Sequence, residues 1–117
     1  MSDNQNRDDP LAPYQHLLRG AFDVSPPTGW EPLVARLLAR IEAALAPEER
    51  AEFRISQVKE KFAQLRVYHN GGEAIEALVD EADAEARRTC QVCGQPGRRQ
   101  PGGWLAILCD EHNKRQF

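Results

Sequence analysis

The sequence has no long apolar run, few cysteine and aromatic residues, and little net charge. No stretch approaches the roughly eighteen consecutive apolar residues of a membrane span, so we expect no membrane partner. Residues 1–10 are polar and lack the apolar core of a signal peptide, so the sequence does not indicate secretion. The net charge of −3 does not favour a polyanion bound over the whole surface. Together these absences predict a cytoplasmic protein.

The three cysteines of the chain all fall within one C-terminal pattern. Their odd number does not favour a disulfide framework. The spacing C-x2-C-x15-C-x2-H is instead typical of a zinc site. Zn²⁺ takes four ligands in a tetrahedron, and thiolate and imidazole suit it. The pattern therefore predicts one zinc per chain, held by Cys90, Cys93, Cys109 and His112.

The predicted zinc site is structural, because four protein ligands leave no open position for an activated water. Segments 97–100 and 104–108 are expected to pair as a hairpin, and 110–117 to begin a short helix that supplies the last two ligands. A knuckle, a hairpin and a helix in this order form a treble-clef-like finger. His16 and His69 have no matching acid or nucleophile at a telling spacing, so we expect no catalytic residues and no enzyme.

The rest of the chain predicts an α+β fold, with helices packed on a small antiparallel β-hairpin or sheet. Thr28 and Glu31 resemble a capping box, and apolar residues recur at helical spacing after them. Alternating apolar and polar residues indicate two strands that a tight turn joins. The predicted divisions are a disordered tail at 1–10, an α+β domain at 11–88 with helices at about 11–22, 29–46 and 72–88 and strands at about 53–59 and 64–69, and a zinc-finger element at 89–117.

Charge is distributed unevenly along the sequence. The predicted hairpin is basic, whereas the helix that follows it is acidic. A bipolar surface suits docking to a protein better than tracking a phosphate backbone. The alternative is a solvated hairpin with weak cross-strand charge pairs. The candidate partner-binding residues are Arg54, Lys59, Lys61, Arg66, Arg98 and Arg99, while the acidic helix remains a second possible interface.

Residues 57–68 read Gln-Val-Lys-Glu-Lys-Phe-Ala-Gln-Leu-Arg-Val-Tyr. With Gly29-Trp30, Gly103-Trp104 and the Cys/His pattern, this stretch resembles a group of small, largely uncharacterised phage, prophage and bacterial proteins. The resemblance covers residues 29–112, and the group has Gly-Gly where this sequence has Ala63-Gln64. It implies a phage or mobile-element context but no established activity.

Two further resemblances concern only the C-terminal part. The run into C-x2-C-G and the last pair resemble DksA-type transcription regulators, but the coiled coil of those proteins has no counterpart here. The tail faintly resembles HNH nucleases. Those enzymes need a catalytic histidine on the preceding strand, and 94–108 contains neither a histidine nor an acidic residue.

The expected function is a non-enzymatic, zinc-stabilised adaptor or inhibitor that binds another protein, for example a host defence or regulatory complex. The alternative is a nucleic-acid- or transcription-associated zinc-finger protein, in which Arg98, Arg99, Lys114 and Arg115 contact phosphates. A metal-dependent enzyme is disfavoured by the closed site. The sequence leaves the oligomeric state and the identity of the partner open.

Overall fold

Helices and two small sheets make up the part of the chain that the computed structural model describes, residues 9–100 and 105–113. This mixed α+β architecture agrees with the predicted class. Single 3-10 turns at Ala12–Tyr14 and Thr28–Trp30 precede the first two helices. The elements are α1 (Gln15–Leu18), β1 (Asp23–Ser25), α2 (Glu31–Ala44), α3 (Pro47–Arg50), β2 (Ile55–Lys61), β3 (Gln64–His69), α4 (Glu73–Ala86), β4 (Arg98–Arg99), β5 (Ile107–Leu108) and α5 (Asp110–Asn113). Within these residues, no helix has the length and apolarity to cross a membrane.

The larger sheet has the order β1-β2-β3. β2 and β3 form the predicted antiparallel hairpin, and β1 adds in parallel on the other side of β2. A bulge between Ile55 and Gln57 shifts the alternation of β2, which explains why Ile55 and Val58 are both buried although three positions separate them. The sheet therefore has one apolar face and one polar face.

The core lies between the apolar face of this sheet and two helices. α2 and α4 pack against each other, and α4 also packs against β3. The stripe of α2 residues that repeats at helical spacing is buried, with Val34, Leu38 and Ile41 fully enclosed. On the surface of the pair, Arg36 binds Glu85 and Arg40 binds Glu81, so cations of α2 neutralise part of the acidic face of α4.

The helix predicted over 11–22 is wrong in its second half. α1 ends at Leu18, and Gly20 then adopts a left-handed φ of +89° that a right-handed helix cannot contain. The chain continues into β1, a strand that the sequence did not predict. Phe22, the last residue of the predicted helix, lies beyond α1 and is 74% exposed. The sheet is consequently mixed, not wholly antiparallel.

The structure also differs from the prediction at both ends of α2. Thr28 lies in the 3-10 turn, and α2 begins at Glu31 with no side-chain cap, so the capping box is wrong. The helix predicted to end at about 46 ends at Ala44, and Pro47 then opens a separate short helix, α3, that the sequence did not predict. There the Glu49 carboxylate accepts the backbone N–H of Ala46 at 2.7 Å.

Some predictions fall outside the described residues. These are most of the tail at 1–10, the apex of the finger hairpin at 101–104, and the end of the chain at 114–117. Within the described part of the finger, β4 and β5 pair antiparallel, as expected for a hairpin of 97–100 and 104–108. Arg98 lies opposite Leu108 and Arg99 opposite Ile107.

Candidate metal centre

The four predicted ligands come from two short backbone structures. Cys90 and Cys93 lie in a turn after α4, in which the Gly94 N–H donates to the Cys90 carbonyl oxygen at 3.0 Å. Gly94 has a φ of +84°, which only glycine adopts without strain. Cys109 precedes α5 and His112 lies within it. The x2 spacing of each pair therefore directs both of its side chains to one point.

The distances between ligand atoms fit a tetrahedral zinc site. All four atoms lie within 4.8 Å of one another. The Cys93 and Cys109 sulfurs are 3.7 Å apart, and His112 Nδ1 lies 3.5 Å from Cys90 Sγ and 3.2 Å from Cys109 Sγ. Ideal tetrahedral bonds to zinc would set such atoms about 3.5–3.8 Å apart. All three thiols are free, so these residues can hold a metal ion.

The surroundings of Cys90 favour its thiolate. Burial alone would raise the pKa of this thiol. Hydrogen bonds from the Cys109, Cys93 and Val92 backbone and from the Cys93 thiol outweigh burial and lower the pKa from 9.0 to about 6. At Cys93 a backbone hydrogen bond from Gln95 acts to lower the pKa, but burial and the adjacent thiols raise it overall. A thiolate is the form that binds metal.

The turn at 90–94, called the metal-binding turn after its two candidate ligands, packs directly on the segment that leads into α2. The Gly29 N–H donates to the Gln91 carbonyl oxygen at 2.8 Å. A Cβ atom at position 29 would lie 2.1 Å from the Cys90 carbonyl oxygen and 2.7 Å from the Gly94 nitrogen. Real Cβ atoms essentially never approach backbone so closely. Glycine at position 29 is therefore required by the contact between the two segments.

Trp30 and Ile107 strengthen the same junction. Trp30 is fully buried, and its indole Nε1–H donates to the Thr89 carbonyl oxygen at 2.8 Å. Ile107 of β5 belongs to the main core, and its backbone N–H donates to the Gln91 side chain at 2.8 Å. Cys90, Ala106 and Leu108 form a small second cluster. The sequence did not predict that Gly29 and Trp30 contact the segment carrying Cys90 and Cys93.

The candidate partner-binding residues do not form one patch. Lys59 and Arg66 are directly paired across β2 and β3, and Lys61 is two positions further along β2. Arg54 precedes the strand, and its guanidinium donates to the carbonyl oxygens of Ala51 and Phe53.

The two finger arginines lie on β4, in the smaller sheet. Arg98 forms an ion pair with Asp110 at 2.8 Å, whereas Arg99 is exposed. The hairpin cations and the finger cations are therefore parts of two different sheets.

Both remaining histidines contact glutamates. His69 has a side chain only 5% exposed, its Nε2 lies 2.7 Å from Glu76 Oε1, and its Nδ1 accepts the Gly71 N–H. His16 lies on the surface, with its Nε2 2.5 Å from Glu42 Oε2. The partners of His69 fix the connection between β3 and α4.

Comparisons with models of protein families, with curated proteins and with solved structures give no match to this chain.

Proposed function

We propose that the chain is a non-enzymatic, zinc-stabilised protein that binds another protein as an adaptor or inhibitor. The observation that carries this proposal is the closed set of four ligands docked on the Gly29 segment. A metal with four protein ligands contributes folding energy and leaves no position for an activated water. The function then belongs to the surface that the metal helps to hold.

Zinc is the metal we propose, at one ion per chain. Three thiolates and one imidazole form a soft donor set that suits Zn²⁺, and hard cations such as Mg²⁺ or Ca²⁺ take oxygen ligands instead. The order of turn, β4–β5 hairpin and α5 supports a treble-clef-like finger. Free thiols at a metal site also suit the reducing cytoplasm, which is the location that we propose.

A phage or mobile-element context is proposed from the resemblance of residues 57–68 and the finger pattern. Position 29 supplies a physical reason why such a pattern would contain Gly-Trp. The glycine allows the contact with the metal-binding turn, and the tryptophan fills the core beneath it. A host defence or regulatory complex is the kind of partner that this context suggests.

The surface charges support a protein partner over a nucleic acid. Ion pairs with Arg36 and Arg40 neutralise part of the negative charge of helix α4. The net charge of the whole chain is nevertheless −3, and phosphate-tracking proteins depend on many cationic contacts. Mixed charge in separate patches favours oriented docking between proteins.

Metal analysis and partner capture test this function. Folded protein should contain one equivalent of zinc, and the Cys93→Ser variant should contain far less. The tagged chain should retain one bacterial protein in a stoichiometric complex through size-exclusion chromatography. A folded, zinc-loaded chain that captures no protein would argue against an adaptor. If the wild-type chain cleaves DNA and a correctly folded His112 variant does not, the protein is an enzyme instead.

Nucleic-acid binding is the second candidate, because Lys59 and Arg66 are adjacent cations on a sheet face that also presents Tyr68. Sheets with aromatic and basic side chains bind single strands in several protein classes. Retention on single-stranded DNA that falls steeply with salt concentration would favour this candidate, since phosphate contacts release counterions.

A further inference from the structure

The polar face of the larger sheet brings like charges together. The side chains of Val58, Leu65 and Val67 point into the core. The residues that alternate with them along the two strands therefore point outward. The register places Lys59 directly opposite Arg66, and Lys61 opposite Gln64 in the next row. Directly opposed residues of an antiparallel pair have Cβ atoms about 4.5–5.5 Å apart.

This arrangement is unfavourable in the free protein. Like charges directly opposite each other destabilise a sheet. Among the described residues, no ion pair includes Lys59, Lys61 or Arg66, and the buried Arg66 Nε has no hydrogen-bond partner. Asp23 is in the neighbouring strand β1, but its carboxylate accepts hydrogen bonds from Gln57 and Ser25. Arg66 donates to the neutral Gln64 side chain at 2.6 Å. Hydrogen bonds from Gln57 and Ser25, with the nearby charge of Lys59, lower the pKa of Asp23. Lys59 and Arg66 are thus only partly compensated, and neither forms an ion pair among the described residues.

Lys59, Lys61 and Arg66 form a basic row along the hairpin, and an exposed aromatic residue lies at each end of it. Tyr68 is the next outward-facing residue of β3 after Arg66 and is 42% exposed. Phe62 forms the hairpin turn and is 62% exposed, with the Lys61 ammonium 5.9 Å from its ring centroid. Phe62 and Ala63 both have positive φ, at 54° and 64°, in a turn that normally takes asparagine and glycine. An exposed aromatic residue in a strained turn contributes little to the stability of the free chain.

We propose that this basic face, defined by Lys59, Lys61, Phe62, Arg66 and Tyr68, binds an acidic segment of the partner protein. The inference rests on the proposed function and names the surface and the chemistry of its partner. Carboxylates of the partner neutralise the opposed cations, and a guanidinium such as that of Arg66 can donate two parallel hydrogen bonds to a carboxylate. Aromatic residues at the ends of the row supply the apolar contacts that anchor protein interfaces.

The structure favours this face over the other candidate cations. The guanidinium of Arg54 is held by backbone carbonyl oxygens, and Arg98 already pairs with Asp110. A carboxylate segment is favoured over a phosphate backbone, because three cations on a chain of net charge −3 provide only a short phosphate-binding track.

The Arg66→Glu variant tests the proposal through two measurements on the zinc-loaded chain. In the free protein the change turns a like-charge pair into an opposite-charge pair, so the melting temperature should rise by about 2–4 °C. Binding of a fluorescein-labelled decaglutamate peptide, followed by fluorescence anisotropy, should weaken at least tenfold. Lys59→Gln should likewise raise the melting temperature and weaken peptide binding, and it leaves the half-buried Arg66 unchanged. The matched control is Arg50→Glu, which makes the same change in net charge on α3.

Each of the following results would overturn the proposal. Equal loss of peptide binding in Arg50→Glu would show a response to net charge alone. Failure of the wild-type chain to bind decaglutamate would exclude the acidic segment, and tighter binding of a thymidine decanucleotide would assign the face to nucleic acid. A lower melting temperature in both hairpin variants would contradict the like-charge argument. If a captured host protein is retained equally by wild type and Arg66→Glu, the adaptor function stands and this face is not its interface.

Discussion

Replacing Gly29 by alanine is the sharpest test of how the metal centre joins the fold. The added methyl group would lie 2.1 Å from the Cys90 carbonyl oxygen and 2.7 Å from the Gly94 nitrogen. Both atoms are backbone, so no side-chain rotation can remove the clash. The metal-binding turn must therefore move away from residue 29. That movement also separates Trp30 Nε1 from the Thr89 carbonyl oxygen, which lie 2.8 Å apart.

The magnitude follows from three losses. Overpacking typically costs about 1–3 kcal/mol. The Gly29–Gln91 backbone hydrogen bond contributes about 0.5–1.5 kcal/mol. A stretched indole hydrogen bond at the fully buried Trp30 adds a similar amount. We expect Gly29→Ala to lower the free energy of unfolding by about 3 kcal/mol, a large part of the roughly 5–15 kcal/mol that stabilises an ordinary domain.

Urea unfolding of the zinc-loaded chain, followed by far-ultraviolet circular dichroism, measures this free energy. Competition with a chromophoric chelator measures the zinc affinity, which should fall about tenfold or more because the displaced turn carries two of the four ligands. Gly72→Ala is the matched control, since nothing lies within 4 Å of its added Cβ. Gly72 is the N-cap of α4, so alanine there should cost at most about 1 kcal/mol and leave the zinc affinity unchanged. A Gly29→Ala chain within about 0.5 kcal/mol of wild type, with unchanged zinc affinity, would refute the reasoning.

Three other changes give expected outcomes. Cys109→Ser removes one of the four proposed zinc ligands, so amide-exchange protection should fall at 89–100 and 105–113 while α2 and α4 keep theirs; uniform loss along the chain would show one indivisible core. Phe62→Asn relieves a left-handed φ that asparagine tolerates, so urea unfolding should show a gain of about 0.5–1 kcal/mol, and a loss would mean that the aromatic ring stabilises the turn. Trp30→Phe keeps a six-membered aromatic ring but removes the five-membered ring and its donor to Thr89, so the same measurement should show a loss of at least about 1–2 kcal/mol, and no loss would show that neither the hydrogen bond nor the lost packing stabilises the fold.

Features encoded by neighbouring residues could be predicted from the sequence. The x2 spacing within each ligand pair reports a local turn, so Cys90, Cys93, Cys109 and His112 could be grouped without knowledge of the fold. Helices α2 and α4 carry long apolar stripes, because one face of each is buried. Their predicted bounds differ from the observed ones by about two residues, as is usual at helix ends.

Features that depend on distant residues could not be predicted. β1 has only three residues, and its parallel pairing with β2 leaves no alternation to read. Phe22 and Leu18 both look like core residues until Gly20 turns the chain between them. The role of Gly29 depends on a backbone contact with Cys90, and a single glycine gives no sign of what approaches it.

The contact of Trp30 with Thr89 has a consequence for how the protein is made. The two residues are 59 positions apart, so ribosomal synthesis releases α2 well before the segment that completes its surroundings. Until that segment emerges and folds around the proposed metal, part of the tryptophan surface remains open to solvent. Chaperones and proteases continuously sort chains by such exposed surface. With zinc bound as proposed, its supply would become a determinant of how much of this protein a cell accumulates, independently of how fast the chain is synthesised.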